Sequence, residues 1–199
     1  MKKIYLLTII SLLIISCEKE SGPTEINGSV KDKTTNAGIE NADVGLFESD
    51  GENSWGLGGV LIDEIYSDAD GNFTFDFEAR KGYSYYVYAI KDQYWNIDGD
   101  NITFVDNTGG ETDVTVFLQP EGWLSIHFKN IPPTSIYDNF DINGYVTDGF
   151  NGEDVDTIVL YKVYGNINNI LYWALYGEMT STDTLYCSAF DTTYFEIFY

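Results

Sequence analysis

Tyr66-Ser67-Asp68-Ala69-Asp70-Gly71-Asn72-Phe73-Thr74-Phe75-Asp76-Phe77 is the stretch whose reading decides the fold. Its second half alternates. Phe73, Phe75 and Phe77 fall on one side and Thr74 and Asp76 on the other, the period of a strand with one buried and one wet face. Its first half gathers residues that bend backbone: Asp and Asn side chains bond their own main chain, and Gly71 can take positive φ without a Cβ clash. The stretch predicts a β-hairpin whose outgoing strand delivers three aromatic rings to a core.

Working outward, alternating or wholly apolar runs recur at residues 26–32, 42–47, 60–66, 83–90, 101–105 and 113–118. Within 42–47, Ala42, Val44 and Leu46 share a face. Residues 33–41, 51–59 and 106–110 are rich in Gly, Asn and Thr and read as loops. Short strands at this spacing argue for a β-sandwich. The composition agrees, since 16 Tyr, 12 Phe and 4 Trp suit pleated sheets better than helices.

The pattern Ile26-x-Gly28-x-Val30, Gly38-Ile39-x-Asn41-Ala42-x-Val44-x-Leu46, Ser67-Asp68-x-Asp70-Gly71-Asn72-Phe73-x-Phe75 and Gly82-Tyr83-x-Tyr85 resembles the carboxypeptidase regulatory-like, transthyretin-like family. The resemblance covers residues 24–119 and implies a sandwich of about seven strands. In that family the Asp-Gly-aromatic turn is structural and the domain non-catalytic, so no active-site residues come with it. Collagen-adhesin B-type repeats share part of the pattern and crosslink Lys to Asn. Lys31 stands near their reactive Lys, but residues 85–90 lack the catalytic acid.

Pro120-Glu121-Gly122 breaks the chain, and strand-like runs resume at residues 123–129, 140–146, 157–164, 170–176, 183–188 and 194–199. Residues 165–169 read as a hairpin loop. Residues 120–199 are therefore expected to form a second small sandwich. The fold class is all-β: a transthyretin-like, Ig-like β-sandwich followed by another.

The N-terminus suggests a compartment. Met1-Lys2-Lys3 precedes an apolar run over residues 4–15, too short to span a bilayer as a helix. Ile14-Ile15-Ser16-Cys17 resembles the lipobox of bacterial lipoproteins. That resemblance implies a signal peptide over residues 1–16, diacylglycerol and acyl (palmitate) modification of Cys17, and a polar tether over residues 17–23. Glu18, where some lipoproteins carry an Asp for inner-membrane retention, points to the outer membrane. With Cys17 committed to lipid, Cys187 has no disulfide partner and reads as a small buried strand residue.

Charge and residue counts exclude several functions. The formal net charge of −22 cannot neutralise a phosphate backbone, so nucleic acid is not an expected partner. His127 is the single histidine, too few for a zinc peptidase site, and its alternation puts it on the wetter strand face. Placing Gly71 at position 6 of an EF-hand puts Tyr66 and Phe77 where acids are needed, which excludes that loop. A looser Ca²⁺ site could draw on Asp98 and Asp100, or on Glu153, Asp154 and Asp156. Sugar sites use exposed aromatic faces, for which Trp55, Tyr94, Trp95 and Trp173 are the candidates. The expected role is non-enzymatic: an outer-membrane lipoprotein held by Cys17, binding or scaffolding a glycan or an envelope protein.

Overall fold

The computed structural model describes residues 21–50, 58–96 and 101–199, and every regular element among them is a strand. Residues 1–20, 51–57 and 97–100 lie outside the description, and with them Cys17, Trp55, Asp98 and Asp100.

Seven strands come first: β1 (Gly22–Asp32), β2 (Asp43–Ser49), β3 (Val60–Tyr66), β4 (Asn72–Ala79), β5 (Ser84–Ile90), β6 (Ile102–Phe104) and β7 (Glu111–Leu118). Seven more follow: β8 (Glu121–Lys129), β9 (Asn139–Gly144), β10 (Asp148–Asn151), β11 (Asp156–Tyr164), β12 (Ile167–Leu175), β13 (Glu178–Cys187) and β14 (Thr192–Phe198). They build four sheets, in the orders β4-β1-β7, β3-β2-β5-β6, β11-β8-β14 and β10-β9-β12-β13.

The two halves have one topology. In each, the first strand is central in a three-stranded sheet, antiparallel to the fourth and parallel to the seventh. In each, the remaining strands run third, second, fifth, sixth across a four-stranded sheet. The chain is thus a tandem of two Ig-like sandwiches of identical strand order, although the two halves carry different motifs.

Each sandwich has its own core. Ile26, Val30, Val44, Leu46, Phe75, Tyr85, Val87 and Val116 are buried in the first, and Leu124, Ile126, Phe128, Phe140, Ile142 and Leu171 in the second. Burying each of these large side chains contributes about 1.5–3 kcal/mol, which is why the alternation holds its register. Phe73 lies over Gly28, its pairing partner across β1 and β4. A Cβ built on Gly28 would sit 1.9 Å from the Phe73 ring.

Residues 66–77 do form a turn and an inward-facing strand, but not a hairpin. β3 pairs with β2 in one sheet, β4 pairs with β1 in the other, and residues 67–71 cross between the layers. Phe73 and Phe75 are buried, while Phe77 is only partly covered. The crossing is fixed by the loop after β1. Ser67 Oγ donates to Ile39 O at 2.6 Å and accepts the Ala42 N–H at 2.9 Å. Asp68 Oδ1 accepts the N–H groups of Asn72 at 2.7 Å and Asp70 at 2.9 Å, which hold its carboxyl below the ordinary range. Gly71 has φ +83°, and a Cβ there would meet Val30 O at 2.6 Å.

Residues 165–166 repeat this correction. The turn there passes from β11, paired with β8, to β12, paired with β13 and β9, so it also links sheets. The second sandwich also holds a seventh strand, β10, whose run Asp148-Gly149-Phe150-Asn151 lacks an apolar alternation. No described helix is long and apolar enough to cross a membrane.

Candidate functional site

The richest cluster of polar and aromatic side chains lies where the sandwiches meet. The β5–β6 connection reaches the start of β8: Glu121 N–H donates to Gln93 O at 2.8 Å, and Trp95 N–H donates to Gln119 O at 2.8 Å. The β11–β12 turn closes from the other side. Gly165 N–H donates to Pro120 O at 2.8 Å, and Gln119 Nε2 donates to Gly165 O at 2.9 Å. A Cβ on Gly165 would stand 2.7 Å from Glu121 O, so only glycine allows that approach.

Trp95 is committed to this seam. Its indole N–H donates to Val163 O at 3.1 Å, its ring meets Tyr164 edge-on at 5.0 Å, and Lys162 Nζ stands 5.0 Å from its centroid. Lys162 also donates to the buried Glu121 carboxylate at 2.6 Å. Tyr94 is committed likewise. Its hydroxyl donates to Asp32 Oδ2 at 3.2 Å, and its ring packs on Phe190 at 5.3 Å. Burial, then the Asp32 charge, push the Tyr94 phenol up to about 12.

Asp32 organises the first sandwich's side of the seam. Burial would raise its carboxyl, but hydrogen bonds from Thr34 and Thr35 outweigh that and hold it below the ordinary range. Thr34 gives its hydroxyl at 2.6 Å and its N–H at 2.8 Å, and Thr35 its N–H at 2.9 Å. Asn166, on the β11–β12 turn, then donates to Thr34 Oγ at 3.1 Å. Sequence reasoning missed Asp32, Thr34 and Asn166, because the contacts that tie them into the seam, Tyr94 on Asp32 and Asn166 on Thr34, join residues remote in the chain.

The structure brings Tyr94 and Trp95 together, but in the seam rather than on an open face. Trp173 is partly buried against the second core, packed on Phe140 at 5.6 Å with its N–H on Asp183 at 2.9 Å. Glu153 and Asp154 lie exposed in the β10–β11 turn. Asp156 opens β11, paired with Lys129 at 2.7 Å and His127 at 2.6 Å. Among the described residues no three His, Cys, Asp or Glu side chains converge as metal ligands. His127 is partly covered rather than free: Asp156, with Glu196 at 3.6 Å, raises its pKa. Cys187 is fully buried at the end of β13, and burial pushes its thiol up.

One open concavity stands apart from the seam. The outer face of β4-β1-β7 forms a groove of about 400 Å³ lined by Asn27, Ser29, Asn72, Thr74, Asp113 and Thr115. Short amide and hydroxyl side chains dominate it, and Ser29 and Thr115 hydrogen-bond across at 3.3 Å. No sequence pattern singled it out, because each residue alone reads as the wet half of a strand.

No family model and no curated protein matches the chain. It is similar to the minor pilin GBS52 of Streptococcus agalactiae at 11% identity, over 88% of this chain and 94% of that one, with TM-score 0.43. Similarity to the Bacillus anthracis TIE protein runs at 12% identity over 88% of this chain, with TM-score 0.41. The match spans about a third (34%) of that longer protein. A DUF3823 family protein of Bacteroides uniformis is similar at 14% identity, over 84% and 99% of the two chains, with TM-score 0.31.

Proposed function

We propose that the chain is a non-enzymatic, lipid-anchored protein of the outer membrane that scaffolds or binds a component of the cell envelope. The observation that carries this is the seam. Its most ligand-like aromatic residues, Tyr94 and Trp95, are spent on fixing one sandwich against the next, which is what a rigid spacer requires. The Ile14-Ile15-Ser16-Cys17 sequence supports lipid attachment at Cys17, and Glu18 supports outer-membrane sorting. Two or more acyl chains suffice for stable anchoring. The interlocked residues 38–42 and 67–71 carry the motif shared with the carboxypeptidase regulatory-like family, which supports that kinship for the first sandwich.

The test is metabolic labelling with an alkyne palmitate analogue, followed by membrane fractionation. The wild-type chain is expected to take the label and float with outer membrane, and Cys17→Ala to lose both. An unlabelled wild type, or a Cys17→Ala protein still held in the membrane, overturns the anchoring.

A second reading rests on the polar groove. Six short amide, carboxyl and hydroxyl side chains over about 400 Å³ suit the hydroxyls of a glycan. A glycan array probed with wild type and with Asn27→Ala/Asp113→Ala tests it; binding that is absent, or unchanged in the variant, removes it.

A further inference from the structure

The constellation at the seam recurs at the opposite end of the second sandwich. At the seam, the connection between the first and second strands supplies Thr34, Asp32 ends the first strand, and the connection between the fifth and sixth supplies Tyr94, whose hydroxyl donates to Asp32. In the second sandwich the matching β8–β9 connection supplies Thr134 and Asp138, and the β12–β13 turn supplies Tyr176. Thr134 gives Asp138 its N–H at 2.8 Å and its hydroxyl at 2.7 Å, Asn130 gives its amide at 2.8 Å, and Tyr176 gives its hydroxyl. The order of Thr and Asp along the chain is reversed, and Tyr176 also meets Thr134, but in both places a Thr and a Tyr hydroxyl converge on one Asp carboxylate.

At the seam this constellation is occupied. Asn166 donates its amide to Thr34 and Phe190 packs on Tyr94, both from turns of the following sandwich. At the far end the Tyr176 hydroxyl stands 2.8 Å from Thr134 Oγ, and the surface around the two is exposed. Tyr137 is 79% exposed, Met179 73%, and Ile131, Ile136 and Tyr176 are exposed beside them in the chain. Large apolar side chains gathered at one end mark an interaction surface. Tyr176 also keeps φ +53° in a two-residue turn, a conformation costly for a bulky residue and normally left to Asn or Gly. The strain aims its hydroxyl at Asp138, as Tyr94 is aimed at Asp32.

Charge sets the partner's character. Exposed Glu153, Asp154 and Glu178 rim this end, and Lys129 is engaged by Asp156. A second copy, carrying the same net −22, would bring like charge to like at matching ends.

We propose that the far end of the second sandwich, built on Thr134, Asp138 and Tyr176, docks the end of a β-sandwich in another envelope polypeptide. That partner presents a side-chain carboxamide and an aromatic ring from two adjacent turns, within a basic rim. The carboxamide takes the place of Asn166 on Thr134 Oγ, and the ring takes the place of Phe190 on Tyr176. This deepens the scaffolding reading and rests on it.

The test uses the full chain in its own cells, with a photoreactive benzoylphenylalanine placed at position 137 and, in parallel strains, at positions 66 and 194. The expected result is a light-dependent adduct from position 137 with a second polypeptide. The crosslinked peptide should map to a turn bearing Asn or Gln beside an aromatic residue, with Lys or Arg nearby. Adduct yield should fall at least fivefold in Glu153→Lys/Asp154→Lys, a purely exposed change, and in Thr134→Val. No adduct from position 137, an adduct that maps to this same chain, a partner peptide without that chemistry, or yields unmoved by either variant would overturn the proposal. Capture of an envelope protein from position 66 or 194 with none from 137 sinks the docking end and leaves scaffolding standing; capture from none of the three sinks both.

Discussion

Truncating Trp95 gives the most direct test of the seam. Trp95→Ala removes a hydrogen bond to Val163 O at 3.1 Å, worth about 1 kcal/mol net. It also removes the edge-on contact with Tyr164 at 5.0 Å, about 0.5–1.5 kcal/mol, and the Lys162 cation at 5.0 Å, about 0.5–1 kcal/mol. These parts are not additive, and the side chain is half-buried, so a total near the low end of aromatic truncations, about 3 kcal/mol, is expected. In a chain of this size that lowers Tm by roughly 6–12 °C. Trp95→Phe keeps the ring and loses the N–H, and should cost about 1 kcal/mol. Because these contacts couple the two cores, urea unfolding followed by far-ultraviolet circular dichroism should be one transition in the wild type and two in Trp95→Ala. With Trp55→Phe added, the remaining fluorescence, from Trp123 and Trp173, should then follow the second sandwich alone. A Trp95→Ala protein with one transition at the wild-type midpoint would refute the seam argument and return Trp95 to the list of ligand-binding candidates.

Three other outcomes are expected. Gly28→Ala pushes a Cβ into the Phe73 ring, and should lower stability by about 1–3 kcal/mol in a urea titration, with part recovered by Phe73→Leu. An unchanged midpoint would mean that the ring moves freely. Asp138 is held below the ordinary carboxylate range by Tyr176, Asn130 and Thr134. Its contribution is present above the unfolded value near about 4 and fades as pH falls through the folded one. Asp138→Asn should therefore flatten the acid limb of a stability–pH curve, and an identical limb in the variant would count against it. His127 is raised chiefly by Asp156, so its contribution is complete below about pH 6.5 and is lost as pH climbs through the folded value. Nuclear magnetic resonance titration should show Asp156→Asn moving the His127 midpoint down; a midpoint that stays put contradicts the pairing.

Strand positions were legible from periodicity because burial of one face forces it: Ile26, Val30, Phe73 and Phe75 declare their strands without help. Pairing was not. Residues 67–71 and 165–166 look like hairpin turns because Asp, Gly and Asn bend backbone whether the chain returns beside itself or crosses to the other layer. Only the partner strand decides, and β1 pairs with β4 across a long stretch of chain, from Ser29 with Asn72 to Gly22 with Ala79. β10 escaped notice because Asp148 and Asn151 flank just one ring. Tyr94 and Trp95 were singled out as aromatic residues in a loop, but a loop indole serves equally well against a neighbouring sandwich, as Val163 O and Tyr164 show. The kinship of the two halves was hidden too: strand order is a property of pairing, and the motif residues of the first half have no counterparts in the second.

The parallel pairing of the first strand with the seventh, β1 with β7 and β8 with β14, has a consequence for how such chains grow. A unit whose opening and closing strands run the same way releases the chain at the end opposite to the one where it came in. Each sandwich therefore hands the polypeptide forward by about one strand, about 30 Å for nine residues, instead of returning it to its starting edge. Duplication of this unit lengthens a protein in a single direction without redesigning a linker. Gln119 and Pro120 illustrate the economy: two residues separate one sandwich from the next.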